Sequence, residues 1–374
     1  MSKSEISIPA FDIKQQYASI QAEVSAAVLE VLASGRYIGG LVVESFERQF
    51  AAYTGVRECV ACNSGTDALY LALRAFHIGK GDEVITTPFT FIATSEVISA
   101  VGAKPVFVDI DATTFNLDLQ QLKAAITPKT KAIIPVHLFG QPVDMTVLMN
   151  IAQAHNLIVI EDCAQSTGAS WGGQKLGSIG HIGCFSFYPT KNLGGCGDGG
   201  AIATNDPNIA AKLRLLKEHG QKTRYVYEEI GINSRLDAIQ AAILQIKLRY
   251  LDIWNRQRQA IASRYQQFLS QVPGIITPKE LAGGQGVWNQ YTIRILDNKR
   301  DWVRAQLLER GVNTMVYYPR PLHLQPVYKS LGYRPGQLPV AEQISQEVLS
   351  LPMFPELSVE DQDWVIYSLK DCLG

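Results

Sequence analysis

Cys184-Phe-Ser186-Phe-Tyr-Pro-Thr-Lys191-Asn-Leu-Gly-Gly-Cys-Gly-Asp-Gly-Gly200 is the stretch on which the reading of this 374-residue chain turns. An alternating apolar strand runs into a glycine-rich turn, with Ser186 and Phe187 on opposite faces. Pro189 stops ladder pairing and holds Tyr188 extended, so Lys191 is expected to emerge from a bend beside a buried sheet. An amine held in an apolar pocket has its pKa lowered and becomes a nucleophile toward aldehydes and ketones. Taken by itself, Lys191 reads more simply as a solvated loop lysine. Stretches upstream reverse that reading.

Working outward, apolar residues recur at helical spacing over about 15–33 and 41–53. Strands and helices then alternate for about 150 residues: strands at Glu58–Cys62, Glu83–Thr87, Lys104–Asp109, Lys131–Val136 and Leu157–Glu161, with helices between them. That alternation predicts an α/β fold with a mostly parallel central sheet covered by helices on both faces. Two further strands, near 181–187 and 200–204, flank the lysine loop. Asp206-Pro207 starts a helix that Gly220 is expected to end. A long helical pattern over about 236–271 leads into a smaller α+β region. There, strands are expected at Tyr291–Leu296 and near 314–318, with a helix near 301–310 and two terminal helices, the last capped by Ser358. The expected division is a large domain over 1–250 and a small C-terminal domain over 251–374.

Composition narrows the partners. With 47% hydrophobic residues the chain can bury a large core, and a net charge of −1 gives no whole-protein field for nucleic acid or anionic lipid. No apolar run approaches the ~20 residues of a membrane helix, and Met-Ser-Lys-Ser-Glu at the start lacks the apolar centre of a signal peptide. Six scattered cysteines are expected as reduced thiols in a cytoplasmic protein. Cys59 and Cys62 form a lone C-x-x-C without a second pair, and read as a buried strand end rather than a metal site.

Two stretches complete the chemistry. Asn63-Ser-Gly65-Thr66-Asp-Ala-Leu69 lies at a strand-to-helix junction, where free N–H groups and the positive dipole end suit a phosphate. Glu161-Asp162-Cys-Ala-Gln165 ends a buried strand, and a carboxylate there needs a cationic partner such as a protonated pyridine nitrogen. Phosphate cradle, carboxylate and lysine, in that order, describe a pyridoxal 5'-phosphate site. Gly195-x-Gly197-x-x-Gly200 has dinucleotide spacing, but a strand follows it rather than a helix. Asp109-x-Asp111 lacks the glycine and terminal glutamate of a calcium loop. His137 reads as a hydrogen-bonded core histidine.

From about Ile8 to the C-terminus the chain resembles the DegT/DnrJ/EryC1/StrS family of nucleotide-sugar aminotransferases, of pyridoxal-phosphate transferase fold type I. Besides the three stretches above, Ser34–Gly40, Pro88–Thr94, Val136–Pro142 and Gly231–Gln240 carry the resemblance. It implies that Lys191 bonds covalently to the cofactor and moves the proton between Cα and C4′. Asp162 would pair with the pyridine N–H and Gln165 with the ring oxygen. Gly65, Thr66 and Ser186 would hold the phosphate, and Phe89 would stack on the ring. Asn233 would reach the phosphate from the other subunit of a homodimer with a shared active site. In this family a histidine in place of the lysine marks dehydratases, so Lys191 implies transamination. Pyridoxamine 5'-phosphate is then the alternate form, L-glutamate the expected donor and a keto nucleotide-sugar the acceptor. Gly231-Ile-Asn-Ser-Arg235 is similar to the branch acting at C3. Arg235, Tyr317, Tyr318 and His219 would contact the sugar, as in enzymes for UDP-2-acetamido-2-deoxy-3-oxo-glucuronate, although Tyr317 stands where that subgroup often has histidine. The alternatives are a C4 or TDP-keto-sugar aminotransferase, and a non-catalytic regulatory protein.

Overall fold

Successive residues of each central strand feed opposite cores, and that alternation builds the molecule. Val84 and Ile85, Ala132 and Ile133, Ile160 and Val159, and Cys184 and Phe185 divide between two buried clusters, one on each face of the main sheet. A sheet covered on both faces needs near-continuous apolar strands. The computed structural model describes residues 7–373; the opening Met-Ser-Lys-Ser-Glu lies outside the described residues.

Helices α1 (Lys14–Ser34) and α2 (Gly40–Thr54) precede β1 (Glu58–Cys62) and α3 (Gly65–Ala75). The alternation continues with β2 (Glu83–Thr86), α4 (Ala93–Ala100), β3 (Lys104–Phe107), α5 (Leu119–Ala125), β4 (Thr130–Ile133), α6 (Met145–Ala154) and β5 (Ile158–Asp162). A short hairpin, β6 (Ser170–Trp171) and β7 (Gln174–Lys175), leads to β8 (Ile182–Ser186) and β9 (Gly200–Thr204). The sheet order is β1-β9-β8-β5-β4-β2-β3. Only β9 runs against its neighbours, pairing antiparallel with both β1 and β8. The sheet is therefore mostly parallel, as expected. Strands β5 and β8 end in Asp162 and Ser186, at the edge where such sheets usually bind ligands.

Helix α7 (Pro207–Lys217) is capped by Asp206, which accepts from the Asn208 and Ile209 N–H groups. It stops three residues before Gly220, because His219 and Gly220 both turn into positive φ. A hairpin, β10 (Gln221–Thr223) and β11 (Val226–Tyr227), separates it from α8 (Ala238–Leu269). Beyond lie β12 (Ile275–Ile276), β13 (Gly284–Gln285), β14 (Tyr291–Ile295), α9 (Arg300–Glu309), α10 (Pro339–Glu347), β15 (Val348–Leu351) and α11 (Val359–Leu373). The second sheet is β12-β14-β15. Ile261, Tyr265 and Leu269 of α8 share its core, as does Ile8 through a bridge to Val312.

The strand expected near 314–318 is not formed. Met315 alone pairs, with Ser350; Pro319 and Pro321 lack the N–H that a continuing ladder needs. The missing strand is β15, hidden in sequence between two helices. Asp109 and Asp111 have structural duties. Asp109 accepts from the Val340 and Ala341 N–H groups, capping α10 from across the chain, and Asp111 accepts from Thr113 and Thr114. No helix among the described residues is long and apolar enough to cross a membrane.

Candidate active site

Strand β5 delivers two carboxylates to opposite sides of the sheet. Glu161 is fully buried and accepts from the N–H groups of Gly177, Ile179 and Gly180 and from His137 Nε2 at 3.1 Å. His137 Nδ1 accepts from the Val143 N–H, so the histidine is the packed, hydrogen-bonded one expected. Cys163 brings its sulfur within 4.8 Å of these two ligand atoms, but the lone pairs of Glu161 and His137 already serve this network. Cys59 and Cys62 are buried free thiols in β1.

Asp162 faces the other way. Thr94 Oγ1 donates to its Oδ2 at 2.8 Å and the Ala164 N–H to its Oδ1 at 3.1 Å. Burial raises its pKa, while Thr94, Ala164 and the nearby Lys191 charge oppose that rise. Lys191 leaves the turn after β8, where its N–H donates to the Tyr188 carbonyl at 2.9 Å. Burial lowers the amine's pKa to about 8, with Asp162 pulling the other way. The amine of Lys191 and the buried Asp162 carboxylate thus lie near enough for each to bias the other's charge.

The junction expected to hold a phosphate is built by close approach. Ser64 caps α3, accepting from the Asp67 N–H at 3.1 Å. The Gly65 and Thr66 N–H groups fall in the first turn, which has no intrahelical acceptors. A Cβ on Gly65 would stand 2.7 Å from Ser186 Cβ, and one on Gly200 would stand 2.4 Å from the Ser64 carbonyl. Glycine at both positions lets the helix start, the end of β8 and the start of β9 converge. Gln165 is held by accepting from the Phe139 N–H at 2.6 Å and donating to the Tyr318 hydroxyl at 3.3 Å. These groups fit pyridoxal phosphate: a cradle that any side chain at 65 would fill, and a buried carboxylate poised for a cation.

Phe89 does not fit its expected role. It is fully buried, with Phe115, Phe139 and Tyr318 packed around it, and has no open face for a ring to stack on. Phe91, two residues on, is 57% exposed and sits just before α4, which carries Thr94. Phe91 is the aromatic of this loop that packing leaves open. Sequence reasoning missed it because the parity of a strand does not carry through a loop.

The remaining expected residues form a second group. Asn233 is exposed and bridges Glu218; His219 is exposed, with its N–H bonded to Ile232. Between Asn233 and Arg235, Ser234 is fully buried, donates to Asp67 at 2.7 Å and accepts from the Asn63 N–H. That ties the group to the cradle. Arg235 is not free: its Nη1 lies 3.1 Å from Glu218 Oε2. Tyr317 is half-buried beside Tyr318.

Comparison with known proteins bears on this geometry. The DegT/DnrJ/EryC1/StrS aminotransferase family model matches residues 18–370. The chain is 50% identical to a pleiotropic regulatory protein of Geobacillus stearothermophilus, over 98% of each chain. It is 46% identical to the UDP-2-acetamido-2-deoxy-3-oxo-D-glucuronate aminotransferase of Pseudomonas aeruginosa, over 92% of this chain and 95% of that one. Among solved structures, S. venezuelae DesV in complex with a ketimine intermediate superposes with a TM-score of 0.96, at 44% identity and 98% coverage of both chains.

Proposed function

This chain belongs to the DegT/DnrJ/EryC1/StrS aminotransferase family, and on that premise we propose that it transfers an amino group from L-glutamate to C3 of a keto-sugar carried on a nucleoside diphosphate. The observation that carries the proposal is the convergence of three parts: Lys191 and the buried Asp162, close enough to bias each other's charge, and the tight Gly65–Ser186 approach at the end of the strand before Lys191. Pyridoxal phosphate, when bound, supplies an aldehyde carbon and an electron-withdrawing ring. Lys191 Nζ takes and returns the proton at the carbon bearing the amine, a task suited to a base with its pKa near 8. Asp162 holds a protonated ring nitrogen. Gln165 orients the ring oxygen, and Phe91 covers the ring face. Gly65, Thr66 and Ser186 bind the phosphate, with Asn233 of a second copy completing the site, so the homodimer is the working unit.

Amination at C3 is supported by the Pseudomonas relative, whose substrate is a 3-oxo sugar, and by Ser234 next to Arg235. Loading the protein with pyridoxamine phosphate, offering a panel of 3-keto and 4-keto nucleotide sugars, and locating the new C–N bond by NMR tests this. Nitrogen at C3 is expected; nitrogen only at C4 overturns the regiochemistry. The same panel separates two acceptors. A uronate is the finer reading if Arg235 meets a carboxylate. The pairing of Arg235 with Glu218 favours a neutral keto-hexose, because the ion pair has no net charge to select an anion. A regulatory protein, as the Geobacillus relative is called, predicts no turnover with any member of the panel.

A further inference from the structure

The loop that carries Lys191 is held from the C-terminal side of the chain. Residues 286–290 run from β13 into β14 and lie between two pieces of the site. On one side Asn192 Nδ2 donates to the Val287 carbonyl at 3.0 Å, and Asn289 Nδ2 donates to the Thr190 carbonyl at 3.2 Å. Those bonds grip the residues immediately before and after Lys191. On the other side the Val287 N–H donates to Gly140 and the Asn289 N–H to Phe139, each at 2.9 Å. Phe139 in turn donates its own N–H to Gln165 Oε1. One short segment therefore connects the lysine to the glutamine by hydrogen bonds alone.

The segment is itself anchored and tightly fitted. Arg258, on α8, is buried, and its Nη1 donates to the carbonyls of Trp288, Asn289 and Met353 at 3.1 to 3.3 Å. Burial lowers this guanidinium's pKa to about 10, a cost that bonds to backbone carbonyls help offset. Asn192 also donates to Asn255 Oδ1 at 2.7 Å, which links it to the same helix. Gly140 has φ +89, and a Cβ there would lie 2.9 Å from the Trp288 and Asn289 nitrogens. Only glycine lets the turn and the strap meet, which accounts for Gly140 within the Val136–Pro142 stretch.

We propose that residues 286–290 act as a strap that sets the Lys191 loop and Gln165 in register, with Asn192, Asn289 and Arg258 as positioning residues. The proposal rests on the aminotransferase reading only in what the lysine is for. A reactive group must be held within roughly 0.5 Å of its working geometry, and the strap continues directly into β14 of the second sheet. Loosening it frees the backbone on both sides of Lys191 and admits water to the amine. The side chain's charged neighbour, Asp162, is untouched.

The test uses the full-length protein without cofactor, so its outcome does not depend on which sugar is aminated. Acetylation of Lys191 by acetic anhydride, resolved by peptide mass spectrometry across pH, gives the midpoint at which the amine becomes reactive. In Asn289→Ala and Asn192→Ser the midpoint is expected to rise by about one unit as water reaches the amine. The loaded variants should lose roughly 10- to 100-fold in kcat, with KM for the donor changed by less than about threefold. Ile295→Val, which loosens the core under β14 without touching the strap, should leave the midpoint unchanged. If Asn289→Ala does not fold, Asn192→Ser decides alone. An unchanged midpoint in Asn192→Ser, or an equal shift in Ile295→Val, overturns the proposal.

Discussion

Two demands meet on one nitrogen at Lys191: it must be neutral to attack or to take a proton, yet it lies beside Asp162, which favours its charge. Burial wins, lowering the pKa from the ordinary 10.5 to about 8. The consequence for stability has a definite sign. Between those two values the unfolded chain binds a proton that the native protein does not, so stability rises with pH across that window. Below about 8 the penalty of the buried amine is fully present. Lys191→Met should therefore raise the melting temperature of the cofactor-free protein near neutral pH, by roughly 2 °C or more. The gain should shrink as pH climbs from about 8 toward 10.5. Calorimetry at several pH values measures it, and a variant melting at or below the parent near neutrality would mean the amine is solvated. Lys191 and Asp162 were legible in sequence because strand ends and bends are local signals. The hydroxyl of Thr94 on Asp162 was not, since 68 positions separate the two.

At the scale of elements, the loop between β2 and α4 shows where periodicity stops informing. Phe89 and Phe91 are two apart and read alike, yet one is core and the other open. Phe89→Ala should cost about 3–5 kcal/mol in denaturant unfolding, the usual range for emptying a buried phenyl site. Phe91→Ala should change stability by less than about 0.5 kcal/mol and weaken pyridoxal phosphate binding by about tenfold, measured by titration of the visible absorbance. The reverse pattern would return the stacking role to Phe89. Other elements depend equally on distant partners. Helix α10 has no side-chain cap of its own and takes one from Asp109, two residues past β3. Strand β15 follows α10 without a break, so no turn residue announces it.

For the whole molecule, the unpaired surface is the informative part. Ile38, Leu41, Tyr225 and Ile230 are more than half exposed, and Asn233 is exposed a few residues beyond the hairpin that carries Tyr225. Large exposed apolar side chains grouped around a functional segment suit a second copy of the chain. If the site is shared as proposed, Lys191→Ala and Asn233→Ala subunits fail in different halves of it. Mixing and refolding the two inactive proteins should restore about a quarter of the parent activity, through heterodimers with one intact site. No recovery, with heterodimers verified by mass, would mean that each chain completes its own site.

Sequence by itself determined the α/β architecture and the order of its main elements, and it pointed to the lysine, carboxylate and cradle of the candidate site. Hydrophobic period, glycine position and the character of a strand's last residue are properties of a few consecutive amino acids. Only the tertiary structure decided which phenylalanine stays open, that Arg235 is already matched by Glu218, and that a strap from beyond α8 grips both sides of Lys191. Those outcomes depend on which side chains the packing leaves uncovered and on bonds between residues far apart along the chain, and no local pattern encodes either.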